Sequence, residues 1–143
     1  MTAVRARGSP RAPVAAPVAA ARSGARIRFR PNRARLAHLR RELDRMLPIL
    51  RSTPGVRKAI LIGSLAEGNV GVASDIDLIV VREDRRHFLD RTADLIRRLR
   101  PRTALDLLVY TPEEFERLRR EGNRFLRHAL ERGKILLDDG SAR

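Results

Sequence analysis

Residues 75–81, Asp-Ile-Asp-Leu-Ile-Val-Val, limit what this chain can fold into more than any other stretch. Leu78 to Val81 is an unbroken apolar run, as expected of a central strand buried on both faces of a sheet. Strand side chains alternate faces, so Asp75 and Asp77 share one face while Ile76 and Leu78 point into a core on the other. Two carboxylates about 6 to 7 Å apart along one strand face repel each other unless cations lie between them. A hard divalent cation such as Mg²⁺ suits the pair, because it takes one or two carboxylates and completes its shell with phosphates and water. Asp106 is a third acid of this kind, set between Leu105 and Leu107-Leu108-Val109. If the two strands are neighbours, three carboxylates meet at one edge of the sheet. Two-metal phosphoryl-transfer sites use such clusters.

A second feature lies 11 residues upstream of Asp75 in Gly63-Ser64, which follows the apolar run Val56 to Ile62 at once. A glycine at a strand's end lets backbone N–H groups approach a phosphate, and a helix N-terminus after it attracts negative charge. The Ser64 hydroxyl can donate to a phosphate oxygen. Gly63-Ser64 and the aspartates would then meet across two adjacent strand ends.

The remaining segments supply the scaffold. Leu36, Leu39, Leu43, Met46, Leu47 and Leu50 recur at helical spacing to about Arg51, with Pro48 expected to kink or fray the last turn. Strands are expected at Val56–Ile62, Asp75–Val81 and Ala104–Tyr110, with a short last strand at Lys134–Leu137 on a sheet edge. Phe88 to Leu99 marks a helix ending before Pro101. Thr111-Pro112-Glu113-Glu114 has the cap, N1 proline and N3 acid of a helix start, and Asn123 caps a further helix to Arg132. The order α-β-α-β-α-β-α-α-β predicts an α/β (α+β) fold, a small mixed β-sheet flanked by helices.

Composition narrows the function classes. At 143 residues, 43% of them hydrophobic, the chain suffices for one domain, and 3% aromatics make its core aliphatic. The absence of cysteine excludes disulfides, thiolate zinc sites and a cysteine nucleophile, and points to a cytoplasmic location. No apolar run approaches the roughly 18 to 20 residues that span a bilayer. The net charge of +14 invites a nucleic-acid reading, but residues 1–35 carry nine arginines and no acid, leaving +5 (14 − 9) elsewhere. Pro10, Pro13, Pro17 and Pro31 break residues 1–31 into a basic tail expected to be disordered. Such a tail either binds polyanions by counterion release or is simply solvated. The expected domain is then 32–138, followed by a tail at 139–143. His38, His87 and His128 are not spaced like metal ligands. Arg97, Arg98, Arg100 and Arg102 read as a solvated face, Tyr110 as core or rim, and Ser74 as a turn residue.

Gly63-Ser64, the glycine-containing loop after it and Ser74-Asp75-Ile76-Asp77-Leu78 resemble the signature of the polymerase-β-type nucleotidyltransferases, and most of all their minimal MNT or antitoxin-like members. The resemblance spans about residues 33–138 and implies a palm-like nucleotidyltransferase fold. It implies that Gly63 and Ser64 hold a nucleotide's phosphates, that Asp75 and Asp77 bind Mg²⁺, and that Asp106 joins the metal site and helps activate an acceptor hydroxyl. The implied reaction places a nucleoside monophosphate, AMP from ATP, on a macromolecular acceptor with release of pyrophosphate. A HEPN protein, as in toxin–antitoxin pairs, is the partner the resemblance names. Glu67 departs from the pattern, since many minimal members carry Arg there. A non-catalytic antitoxin-like interaction module and a small-molecule, antibiotic-type nucleotidyltransferase are the other readings.

Overall fold

A computed structural model describes residues 4–5 and 31–140. The expected tail at 1–31 falls almost wholly outside those residues. Nine of the ten elements follow the order read from the sequence: α1 (Arg33–Ser52), β2 (Val56–Ile62), α2 (Gly63–Glu67), β3 (Ile76–Arg82), α3 (Phe88–Leu99), β4 (Leu105–Tyr110), α4 (Pro112–Arg120), α5 (Arg124–Arg132) and β5 (Lys134–Asp138). A two-residue strand, β1 (Val4–Arg5), precedes them. The sheet order is β1-β4-β3-β2-β5, with β3 and β4 parallel and every other pair antiparallel. Helix α3 makes the crossover that a parallel pair requires. Helix α1 runs through Pro48 to Ser52, so the proline does not end it.

Two apolar layers sandwich the sheet. Leu39, Leu43, Met46 and Leu50 of α1 and Leu95 and Leu99 of α3 pack on the face formed by Ile76, Leu78, Val80, Leu105 and Leu107. The opposite layer joins Ile60, Ile79, Val81 and Leu108 to Phe115, Leu126 and Ala129 of α4 and α5. Burial on both faces explains why β3 and β4 are so uniformly apolar. Any acid within them must therefore be held by a partner or serve a purpose. Gly133 permits β5 to dock: a Cβ there would lie 2.4 Å from the Ala129 carbonyl oxygen and 2.9 Å from Ile60 Cγ2. Among the described residues no helix is long and apolar enough to cross a membrane.

Ion pairs tie the far ends of these elements together. Arg82 at the end of β3 donates to Asp94 of α3 at 2.7 Å, and Arg86 donates to Asp84 at 2.6 Å. The Arg82 hydrogen bond holds the Asp94 carboxyl well below the usual carboxylate range, and Arg86 lowers Asp84 in the same way. A carboxyl whose folded pKa is depressed adds stability above its unfolded pKa of about 4 and loses it as pH falls toward the folded value. The urea midpoint is therefore expected to fall as pH drops from about 5 to about 2, and to fall less in Asp94→Asn. An equal fall in that variant would remove Asp94 from the account.

Candidate active site

β3 and β4 pair without a slip, so the register alone decides which acids meet. Asp77 stands opposite Asp106, with the two backbones about 4.8 Å apart. One step along the same face are Ile79 and Leu108 of the α4–α5 layer. The two carboxylates thus stand just beyond an apolar layer, at the start of both strands. Asp106 is 4% exposed and Asp75 6%, while Asp77 is half-buried.

Asp75 lies one residue before β3, which begins at Ile76 and not at Asp75 as the alternation suggested. The reason is a tertiary contact. The Ser74 carbonyl accepts from Nε and Nη2 of Arg35, at 3.0 and 2.8 Å, and is drawn away from the sheet ladder. The ladder starts only where the Ile76 N–H donates to the Ala104 carbonyl at 3.2 Å. Strand β4 likewise starts at Leu105, one residue later than expected.

Gly63 closes β2 and opens α2, placing it beside the acids, because Ile62 pairs with Asp77. Its φ is +74°, a region where L-residues are strained. A Cβ there would lie 2.4 Å from Asp77 Oδ2. The carboxylate therefore occupies the space that any side chain at position 63 would need. The Ser64 hydroxyl donates to Ser74 Oγ at 2.9 Å, and Ser74 Oγ also accepts from the Gly71 N–H at 2.8 Å. Ser74 is thus a turn residue, as expected, and it also fixes the Ser64 hydroxyl beside the aspartates.

Among the described residues no three His, Cys, Asp or Glu side chains converge into a ready-made metal cage. Mg²⁺ seldom uses one, binding through one or two carboxylates with substrate phosphates and water. The donors here are all carboxylate oxygens, Asp77 and Asp106 share one sheet face with Asp75 just before β3, and Gly63 leaves Asp77 its room. The residues present fit that ion.

The other candidates lie apart from this cluster. Glu67 ends α2 and is exposed. The His87 side chain caps α3, accepting from the Leu89 N–H at 3.3 Å. Arg97 and Arg98 are exposed and pair with Asp94 at 3.8 and 3.0 Å. Tyr110 is buried, and burial together with nearby Glu114 pushes its phenol pKa up. Arg35 and Thr103 were not legible as site residues. The sequence shows Arg35 only as one more cation at the end of the basic tail.

The sequence matches the family described as "Polymerase beta, Nucleotidyltransferase" over residues 45–141. That span holds Gly63, Ser64 and all three aspartates. No curated protein matches. Among solved structures, a protein from Sulfolobus solfataricus assigned as a nucleotidyltransferase superposes with TM-score 0.47 at 22% identity, over 59% of this chain and 77% of that one. A toxin–antitoxin structure with AMP-PNP gives 0.42 at 20% identity, over 68% of this chain and 73% of the other.

Proposed function

This chain belongs to the polymerase-β nucleotidyltransferase family, and we propose that it transfers AMP from ATP to a hydroxyl of a macromolecular acceptor. The observation that carries the reading is the register of Asp77 against Asp106, with Gly63 vacating the space Asp77 fills. Two acids set face to face at adjacent strand starts, Asp106 buried and Asp77 half-buried, are hard to explain by stability alone, since like charges brought together with little water between them cost free energy.

The roles divide by position. Gly63 and Ser64 receive the phosphates of ATP, the glycine by close backbone approach and the serine through its hydroxyl. To donate to a phosphate oxygen, Ser64 must release Ser74 Oγ, its acceptor at 2.9 Å. Asp75 and Asp77 would hold Mg²⁺, with Asp106 completing the carboxylate set. When bound, the ion supplies charge neutralisation at the phosphates. Asp106 stands across the strand pair from Asp77 and takes the proton of the acceptor hydroxyl. That oxygen attacks the α-phosphorus in line, the bond to the bridging oxygen breaks, and pyrophosphate leaves. Positioning and preorganised charge provide most of the acceleration in such transfers. The acceptor we name, from the resemblance of the Gly63–Leu78 motif, is a HEPN-type partner protein.

The test incubates the protein with α-phosphate-labelled ATP, Mg²⁺ and a candidate HEPN partner or a lysate of the native cells. Label is expected in a protein band whose mass identifies the acceptor. Label in nucleic acid instead would keep the transfer and replace the acceptor. No label, with no binding of ATP, would overturn the enzyme reading in favour of an interaction module.

A further inference from the structure

We infer that Arg35 is a positioning residue for the metal-binding carboxylates, acting through the backbone at Ser74 and the side chain of Thr103; the inference rests on the active-site reading above. Arg35 lies in the first turn of α1, outside the motif that carries the proposed chemistry. Its own N–H donates to the Asn32 side chain at 2.8 Å, and the Asn32 N–H donates to the Val70 carbonyl at 2.8 Å. The base of the Arg35 side chain is therefore anchored before its guanidinium makes any contact.

From that base the guanidinium reaches two strand starts at once. Nε and Nη2 both donate to the Ser74 carbonyl, at 3.0 and 2.8 Å, and Nη2 also donates to Thr103 Oγ1 at 3.3 Å. Ser74-Asp75 leads into β3 and Thr103 leads into β4, the two strands that carry the aspartates. Nη2 is also 3.6 Å from Asp75 Oδ1, and that carboxylate is 6% exposed. A planar fork fits this arrangement, whereas an ammonium has no second donor at fixed spacing. The fork keeps β3 and β4 in register at the end where like charges push them apart, and it fixes the peptide on which Asp75 turns.

Two physical effects of Arg35 on a metal ion have opposite signs, which makes the inference testable. As a mere cation near Asp75, Arg35 weakens metal binding, so its removal would tighten it. As a positioning residue it strengthens binding, and removing an outer partner of this kind loosens metal binding by about 10- to 100-fold. Mn²⁺ binding to the full-length protein, followed by its electron paramagnetic resonance signal without nucleotide, reads the sign directly. Arg35→Gln is expected to weaken Mn²⁺ binding about 10- to 100-fold, and Arg35→Lys to weaken it although the charge is retained. Thr103→Val, which removes one anchor with little change of shape, shifts binding the same way by less and serves if the Arg35 variants fail to fold.

Arg45 provides the control. It lies on the same helix and donates through Nη2 to the Leu99 and Arg100 carbonyls, both at 3.0 Å, away from the aspartates. Arg45→Gln should lower thermal stability and leave Mn²⁺ binding unchanged. Unchanged or tighter binding in Arg35→Gln overturns the inference while leaving the site intact. A wild type that binds no Mn²⁺, or an Asp75→Asn/Asp77→Asn protein that binds it like wild type, overturns the site reading and the inference with it.

Discussion

Replacing Asp75 and Asp77 together by Asn is expected to lower nucleotidyl transfer by roughly 10³-fold or more while the protein remains folded. Such a loss corresponds to at least about 4 kcal/mol of transition-state stabilisation. Asn keeps the shape of Asp and can hydrogen-bond, but it brings no charge to balance a divalent cation. The structure says why folding should survive. The sheet is held by apolar layers on both faces, and neither acid belongs to them. The substitution also removes like charges near Asp106, which offsets the lost Asp75–Arg35 contact at 3.6 Å, so the melting temperature should change little when no metal is present. Initial rates over a Mg²⁺ series, set beside thermal melts of the same samples, check both halves. Retained transfer in a well-folded double variant would sink the assignment of these carboxylates.

Gly63→Ala carries the second large effect, although it adds only one methyl group. At φ +74° an alanine is strained by about 1 to 3 kcal/mol. Its Cβ would also meet Asp77 Oδ2 at 2.4 Å, so the carboxylate must move. A displacement of about 1 Å in a catalytic group can cost about 10²-fold in rate, and that is the loss expected here. Gly68 separates the two contributions. It has φ +78°, but a Cβ there would meet nothing within 4 Å, so Gly68→Ala carries the backbone strain without the clash. Comparable losses of stability with a rate loss confined to Gly63→Ala would show that the seat of Asp77 is what matters. Equal rate losses in both would show that loop conformation alone governs activity.

The elements were legible because their signals are local. The helical spacing of Leu39, Leu43, Met46 and Leu50 predicts the buried stripe of α1. The Thr111–Glu114 box forms as its residues suggest, the Thr111 side chain accepting from the Glu114 N–H at 3.1 Å and the Glu114 side chain from the Thr111 N–H at 2.8 Å. Asn123 caps α5 by accepting from the Leu126 N–H at 3.0 Å. The strand limits near the site were less legible, because β3 and β4 start where tertiary partners let them. An arginine 39 positions upstream decides how Ser74 uses its carbonyl.

The site divides along the same line. Asp75, Asp77, Asp106, Gly63 and Ser64 stand out in the chain because acids in apolar strands and a glycine at a strand end contradict their surroundings. That contradiction is written in neighbouring residues, so the sequence by itself determined it. Whether Asp77 faces Asp106 depends on β3 and β4 being parallel neighbours in one register, which strand composition does not encode and the crossover through α3 sets. The space at Gly63 and the reach of Arg35 to Ser74 and Thr103 are likewise properties of the packed molecule. Local pattern records which residues are out of place. Only the three-dimensional fold, in which distant backbones come within hydrogen-bond reach, decides what they touch.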